Sequence, residues 1–209
     1  LTNYEKLELL LTFAIPRRDV RPLARTLLQK FRSVYLVLNA SVDELLSVPG
    51  VGRSTALLIK LVHELMLVSY RERLQAGVIL QDPFVIREYC RQLLIGRKNE
   101  EVYVLLLGKD KRLIHVENHS HGDFTGSGIF PGMIGRLAIN HHALSVILVH
   151  NHPMSDNEFS KQDIEATVAV EQILNNLGIE LDDHFLVKSC GTVISFRERA
   201  WLNKSSFNE

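Results

Sequence analysis

Apolar residues recur at helical spacing through the first seventy-odd residues. The segments "YEKLELLLTFAI", "VRPLARTLLQKF" and "SVDELLSV" each place leucines three or four positions apart, and Ser41 with Glu44 forms the S-x-x-E pattern of a capping box. After "PGVG" at residues 49–52, "RSTALLIKLVHELMLVSYRERL" continues the pattern as one long helix. The pattern predicts an all-helical domain over residues 1–74 and a linker over 75–84, whose "VIL" could form a short strand.

The pattern then changes to alternating strands and helices. "FVIREYCRQLL" indicates a helix, and "EVYVLLLG" and "RLIHVEN" indicate two strands joined by a tight "KDK" turn, as in a hairpin. A helix "MIGRLAINHHA", a buried strand "LSVILVH" and a long helix "SKQDIEATVAVEQILNNLG", ended by Gly178, follow. "ELDDHFLVK", "TVISF" and a short terminal helix "RERAWL" complete an α/β domain over residues 85–209.

Composition narrows the class of protein. Hydrophobic residues make up 46% and charged residues 23% of the 209 residues, as in ordinary globular proteins. Apolar runs such as "ALSVILV" are too short to span a bilayer, and we find no secretion signal, so we expect a cytoplasmic protein without membrane contact. Cys90 and Cys190 are too few for a disulfide framework, and we expect inert core thiols. Residues 1–74 hold 11 Lys and Arg against 7 Asp and Glu, a weakly basic balance.

The stretch "VILVHNHP" ends a run of aliphatic residues with two histidines and a proline. Side chains two apart on a strand point to the same face, so His150 and His152 are expected to project side by side. Pro153 cannot continue the ladder of hydrogen bonds and sets the end of the strand. Two adjacent imidazoles suit zinc, which binds about four tetrahedral ligands and leaves one position open in catalytic sites.

A third ligand can come from the helix that follows. Asp163 lies eleven residues after His152, in the first turn of "SKQDIEATV", from where it could reach back to the end of the strand. The same letters fit a capping box with Ser160 as N-cap and Asp163 three residues later, which needs no metal. Both interpretations remain open at this stage.

Other histidines compete for the same role. His119 and His121 form a second His-x-His, but no aliphatic strand precedes them and no carboxylate follows at the same interval, so we interpret them as surface residues. His141 and His142 fall at a helix end, where histidines commonly cap. His184, after two aspartates, could support a metal ligand from behind.

Residues 150–163, "HNHPMSDNEFSKQD", resemble the H-x-H-x7-S-x2-D signature of the JAMM (MPN-type) metalloproteases. With "LGIELDDHFLV" and "GTVISFRERAWL", the chain is similar to the RadC family over roughly residues 85–203. The resemblance implies an MPN domain, a cytidine-deaminase-like layered sheet with helices. It also implies zinc bound by His150, His152 and Asp163, Ser160 polarising the reacting carbonyl, and an upstream glutamate as general base. Counting back without a gap places that glutamate at Glu117.

The front domain contains a second motif. "LLSVPGVGRSTALLIK" looks like a helix-hairpin-helix, in which Gly50 and Gly52 permit the turn and the next helix presents free N–H groups to a phosphate. Arg53 and Lys60 could add positive charge. This interpretation predicts DNA as a partner of residues 1–74, whereas the alternative is a plain turn between helices used for protein contacts.

Together these features predict a zinc-dependent hydrolase of the JAMM type, acting on a peptide or protein, joined to a DNA-binding module. The RadC resemblance also implies a link to DNA repair. Two alternatives belong to other classes: a DNA-binding accessory protein whose metal site is structural, and a zinc nuclease. One metal held by two histidines and an aspartate fits amide hydrolysis better than the two-metal arrangement common in nucleases.

Overall fold

The structure, a computed structural model, describes residues 1–77, 82–119 and 128–199. Contacts divide the chain into two compact units, Leu1–Ser69 and Tyr70–Glu209. This division falls within the long helix that begins at Arg53, whereas the sequence predicts a boundary after residue 74. The "VIL" of the predicted linker lies outside the described residues.

The described part of the N-terminal unit is helical, as predicted. It contains α1 (Asn3–Ala14), α2 (Arg21–Phe31), α3 (Val34–Asn39), α4 (Val42–Leu46) and the first part of α5 (Arg53–Gln75). The capping box of Ser41 and Glu44 is confirmed at the start of α4. Buried leucines spaced along α1 and α2, such as Leu7, Leu11 and Leu27, pack with Ile59 of α5 in one apolar core. None of the described helices combines the length and the apolar composition that crossing a membrane requires.

Helix α3 has no counterpart in the sequence prediction. Half of its six residues, "VYLVLN", are β-branched or aromatic, which favours a strand in isolation. Ser33 caps the helix by accepting a hydrogen bond from the Leu36 backbone N–H, and Val37 is fully buried in the helical core. Tertiary packing and the cap therefore override the weak intrinsic preference of this segment.

The C-terminal unit is built on a five-stranded sheet within the described residues, in the order β2-β1-β3-β4-β5. Its elements are α6 (Pro83–Leu94), β1 (Val102–Leu107), β2 (Leu113–Asn118), α7 (Pro131–Asn140), β3 (Ser145–His152), α8 (Lys161–Asn176), β4 (Glu180–Lys188) and β5 (Val193–Ser195). The predicted β1–β2 hairpin is confirmed, and β3 pairs with β4 in parallel while the other pairs are antiparallel. Of the predicted terminal helix over residues 197–202, residues 197–199 form turns and the rest lies outside the described residues.

Helices cover both faces of this sheet. Helices α7 and α8 pack on the face that carries Val104, Leu148 and Leu186. Helix α6 packs against the opposite face, where the Arg87 guanidinium lies 5.7 Å from the centre of the Phe185 ring. Strand β3 is central in the sheet and buried along its length except at its last residue, His152, which is partly exposed.

Two further expectations are settled by burial and backbone conformation. Cys90 is buried in α6, as expected, but Cys190 is exposed, so the expectation of a core thiol was wrong there. Gly178 follows the last turn of α8 with φ of +71°, which confirms it as the residue that ends this helix.

Gly135 should be intolerant of a side chain because α7 approaches α8 closely at this point. A Cβ atom there would lie 2.9 Å from Ile173 Cγ2 and 3.1 Å from Leu177 Cδ1. We expect Gly135→Val to lower the free energy of unfolding by about 1–3 kcal/mol, measured by urea denaturation. Gly132→Val in the same helix is the control, because nothing lies within 4 Å of a Cβ at that position. Equal stability of the two variants would contradict the close packing of α7 on α8.

Candidate functional site

The end of β3 places two imidazoles on one face of the sheet. His150 is buried, His152 is partly exposed, and their Nε2 atoms lie 3.3 Å apart. His150 pairs with Leu186 across β4, which puts both histidines on the face covered by α7 and α8. The alternation predicted for this strand is therefore present.

Asp163 reaches the same point from the first turn of α8. Its Oδ2 atom lies 3.6 Å from His150 Nε2 and 3.5 Å from His152 Nε2. The same oxygen accepts hydrogen bonds from the backbone N–H and the hydroxyl of Ser160, each at 2.7 Å, while Ser160 Oγ accepts one from the Asp163 backbone N–H. The capping box and the ligand cluster thus coexist, because the cap holds the carboxylate against the histidines.

The spacing of these three possible ligand atoms, the two Nε2 atoms and Asp163 Oδ2, fits a zinc ion. Zinc–ligand bonds of about 2.0–2.1 Å in a tetrahedron place neighbouring ligand atoms about 3.3–3.4 Å apart. The observed separations of 3.3, 3.5 and 3.6 Å are close to that edge length. Burial by itself would raise the pKa of Asp163, but interaction with the nearby His150 imidazole, followed by the Ser160 bonds, holds it below its ordinary value. The carboxylate is therefore available as an anionic ligand.

A fourth side chain, Glu100, joins the cluster. One ligand atom each from Glu100, His150, His152 and Asp163 lie within 4.8 Å of one another, in the one such group found among the described residues. Asn151, whose side chain lies on the other face of β3, holds this segment in place. It donates a hydrogen bond to the Asn99 carbonyl at 3.1 Å and accepts one from the Glu101 N–H at 2.8 Å.

The neighbouring carboxylate of Glu101 is engaged elsewhere. Its Oε2 atom accepts hydrogen bonds from the Tyr103 hydroxyl and from Asn118 Nδ2, both at 3.2 Å. Of the two adjacent glutamates, Glu100 is the one that the structure places beside the imidazoles. The sequence pattern does not single out Glu100, whose only local signal is its position two residues before β1.

The structure does not bring Glu117 to this cluster. Glu117 pairs with Val104, which pairs with Leu148, so its backbone lies two strand spacings, about 10 Å, from β3. Its carboxylate lies 2.9 Å from His115 Nε2. Together with His119 it lines a separate cleft of about 270 Å³ beside α7.

A larger cleft opens over the cluster. It has a volume of about 600 Å³, and Glu100, His152 and Ser160 line it. Phe159 also lines the cleft, and the centre of its ring lies 5.5 Å from the centre of the His150 ring. Glu158, another carboxylate of this loop, is paired with Arg199. A substrate in the cleft would meet the exposed edge of the cluster.

The remaining histidines divide into two groups. His184 is fully buried behind His150, with its Nε2 atom 2.8 Å from His150 Nδ1. Burial above all lowers the pKa of His184 well below its ordinary value, and charge on His150 acts in the same direction. His141 ends α7 and stacks on another histidine ring, and His119 is half-buried near α7, both apart from the cluster. His121 lies outside the described residues.

The predicted DNA-binding residues lie around the turn between α4 and α5. Gly50 adopts φ of +91°, which favours glycine, and a Cβ at Gly52 would meet nothing within 4 Å. Arg53 is exposed at the first position of α5. Lys60 is differently placed, because its Nζ donates hydrogen bonds to the carbonyls of Leu38 and Ala40, at 3.3 and 3.2 Å. Lys60 therefore stabilises the end of α3.

Comparison with known proteins gives matches along most of the chain. Residues 80–201 match the family described as RadC-like JAB domain, and residues 36–62 match the family described as Helix-hairpin-helix motif. A UPF0758 protein of Fusobacterium nucleatum is 35% identical over 207 residues, covering 96% of this chain and 89% of the relative. Similar proteins of Janthinobacterium sp. and Ruegeria pomeroyi are 34% and 32% identical, each covering 97% of this chain and 90% of the relative.

We expect the chain to bind about one equivalent of zinc, because its three donor atoms are spaced as an open tetrahedral site requires. Elemental analysis of protein reloaded with zinc after chelation should show the metal, and His150→Ala or Asp163→Asn should lose most of it. His141→Ala is the matched control, since His141 lies apart from the cluster at the end of α7. Full zinc content in a His150/His152 double alanine variant would contradict the assignment.

Proposed function

The chain belongs to the RadC family, with a JAB (MPN-type) domain, and on this premise we propose that it is a zinc-dependent hydrolase of amide bonds in a peptide or protein. The observation that carries the proposal is the convergence of His150, His152 and Asp163 at tetrahedral spacing beneath an open cleft. Zinc in such a site acts as a Lewis acid, which polarises a carbonyl group and makes water a stronger acid.

Glu100 takes the role of general base in this proposal, in place of Glu117. Its carboxylate shares the cleft with the imidazoles, so it can accept a proton from the attacking water. As the C–N bond of the amide breaks, Glu100 returns that proton to the leaving amine. Asn151 orients it, because its side-chain amide fixes the backbone on both sides of Glu100.

Ser160 is proposed to stabilise the negative charge that develops on the carbonyl oxygen. It lines the cleft, and its hydroxyl donates to Asp163 Oδ2 in the present arrangement. When that hydroxyl turns towards a substrate, the carboxylate keeps the hydrogen bond from the Ser160 backbone N–H at 2.7 Å. The hydroxyl can therefore change partner without leaving Asp163 without a donor.

The alternatives from other classes fit less well. A purely structural zinc site is closed by four protein ligands, whereas this cluster lies at the base of a cleft of about 600 Å³. A two-metal nuclease holds two metal ions about 3.5–4 Å apart and needs ligands for both, whereas the described residues contain one group of possible ligands. Amide hydrolysis by one metal remains the better fit.

We also propose that residues 1–74 bind DNA through the hairpin of the helix-hairpin-helix motif, and that the protein acts in DNA repair. Gly52 leaves room for a phosphate at the start of α5, where the first N–H groups have no intrahelical acceptor. Arg53 adds positive charge there. Lys60 takes no part in this interface, since it is bonded to the end of α3.

Glu100→Gln should lower the rate of peptide hydrolysis by roughly 10²–10⁴ while zinc content stays near that of the wild type, because glutamine keeps the shape but accepts no proton. Glu101→Gln and Glu117→Gln are matched controls, expected to hydrolyse at nearly the wild-type rate. The assay compares turnover of a peptide library with and without chelator. If Glu101→Gln or Glu117→Gln loses the activity and Glu100→Gln keeps it, the assignment of the base is wrong.

Gly52→Val should weaken DNA binding by about tenfold, the effect of losing one hydrogen bond to a charged group. The side chain fits the fold but blocks the approach of a phosphate. Fluorescence anisotropy with a labelled duplex measures the affinity, which should also fall as salt is raised. Gly132→Val, equally free of contacts but in the other unit, is the control. Unchanged binding by folded Gly52→Val would favour the protein-contact interpretation.

A further inference from the structure

A chain of hydrogen bonds runs behind the candidate metal ligands. His184 stands in β4 opposite Leu148, on the same face of the sheet as His150, and is fully buried. Its Nε2 atom lies 2.8 Å from His150 Nδ1, and its Nδ1 atom lies 2.7 Å from Thr167 Oγ1. Thr167 Oγ1 lies 2.6 Å from the backbone carbonyl oxygen of Asp163. The chain therefore starts on one candidate ligand and ends on the backbone of another.

Only one placement of protons satisfies every contact when both imidazoles are neutral. The Asp163 carbonyl can only accept, so the Thr167 hydroxyl donates to it and must accept from His184 Nδ1. His184 then has no proton on Nε2, which accepts from the N–H at Nδ1 of His150. This leaves Nε2 of His150 without a proton, facing His152 and Asp163.

We propose that His184 and Thr167 are positioning residues that hold His150 in the tautomer whose Nε2 binds zinc, an inference that rests on the metal site proposed above. A ligand histidine usually donates its other N–H to a carboxylate, a backbone carbonyl or water. Here the N–H of His150 reaches a backbone carbonyl only through the His184 imidazole and the Thr167 hydroxyl. That carbonyl belongs to Asp163, in the first turn of α8, whose carboxylate is itself a candidate ligand. The orientation of His150 is thereby tied to the helix that supplies another ligand.

A packing role is the competing explanation. The His184 ring lies among aromatic rings, with centres 5.0 Å from Phe159 and 6.1 Å from Phe196. Packing depends on the shape and volume of a side chain, whereas the proposed role depends on its donors and acceptors. Substitutions that change one property and keep the other separate the two explanations.

Thr167 allows this separation in the full-length chain. Thr167→Val keeps the shape and removes the hydroxyl, while Thr167→Ser keeps the hydroxyl and removes a buried methyl group. We expect Thr167→Val to bind Zn²⁺ roughly tenfold more weakly than the wild type, and Thr167→Ser to bind with nearly wild-type affinity. Affinity is measured on metal-free protein by competition with a chromophoric chelator. Urea denaturation measures the stability of both variants, because Thr167→Ser loses a buried methyl group and Thr167→Val leaves His184 Nδ1 without its acceptor.

His184→Phe provides a second variant. It keeps an aromatic ring among Phe159 and Phe196 but removes both nitrogens, and we expect Zn²⁺ affinity to fall by about 10–100-fold. The visible absorption of the Co²⁺-loaded protein should change as well, because His150 loses the partner that fixes its orientation. Where His184→Phe does not fold, the Thr167 pair alone decides.

Three results would overturn the inference. Equal zinc affinities for wild type, Thr167→Val and folded His184→Phe would show that the hydrogen bonds do not position His150, while leaving the metal site intact. An equal loss in Thr167→Ser and Thr167→Val would assign the effect to packing of the methyl group. Absence of zinc binding by the wild-type chain itself would overturn the proposed function and this inference together.

Discussion

The alternation of side chains at the end of β3 is the constraint on which the site depends. In "HNH", the two histidines face α7 and α8, and the asparagine between them faces the other way. His150 and His152 form the metal-binding half of the site, and Asn151 fixes the segment that carries Glu100. A slip of one residue in this register would exchange the two faces and separate all four groups.

The start of α8 carries two roles with the same atoms. The helix needs an acceptor for its first N–H groups, and Ser160 with Asp163 supplies a reciprocal cap. The carboxylate oxygen that closes the cap is also the one nearest to both imidazoles. An N-cap interpretation and a ligand interpretation of "SKQD" are therefore not exclusive, because a capped carboxylate is held in place for a metal.

The parts of the site that local pattern determines could be predicted from the sequence, and the parts that depend on long-range pairing could not. The period of two in β3 and the cap of α8 are local, and they led to His150, His152 and Asp163. Glu100 lies fifty residues before His150 and is brought to it only by pairing of β1 with β3 and by Asn151. Counting without a gap chose Glu117 instead. The contacts of Lys60 with the end of α3 were hidden for the same reason, since the sequence did not predict that helix.

The cluster also has a consequence for the stability of the C-terminal unit. Three atoms that can each act as acceptors lie 3.3–3.6 Å apart at the edge of the core, and Nδ1 of His152 is buried without a hydrogen-bond partner among the described residues. Without a cation between them, lone pairs repel, unless a proton on His152 bridges to a neighbour. Protons and metal therefore compete for the same space, which makes metal affinity dependent on pH. Because the unfolded chain lacks this arrangement, a metal that binds it stabilises the fold, by an amount that rises with the free metal concentration relative to the dissociation constant.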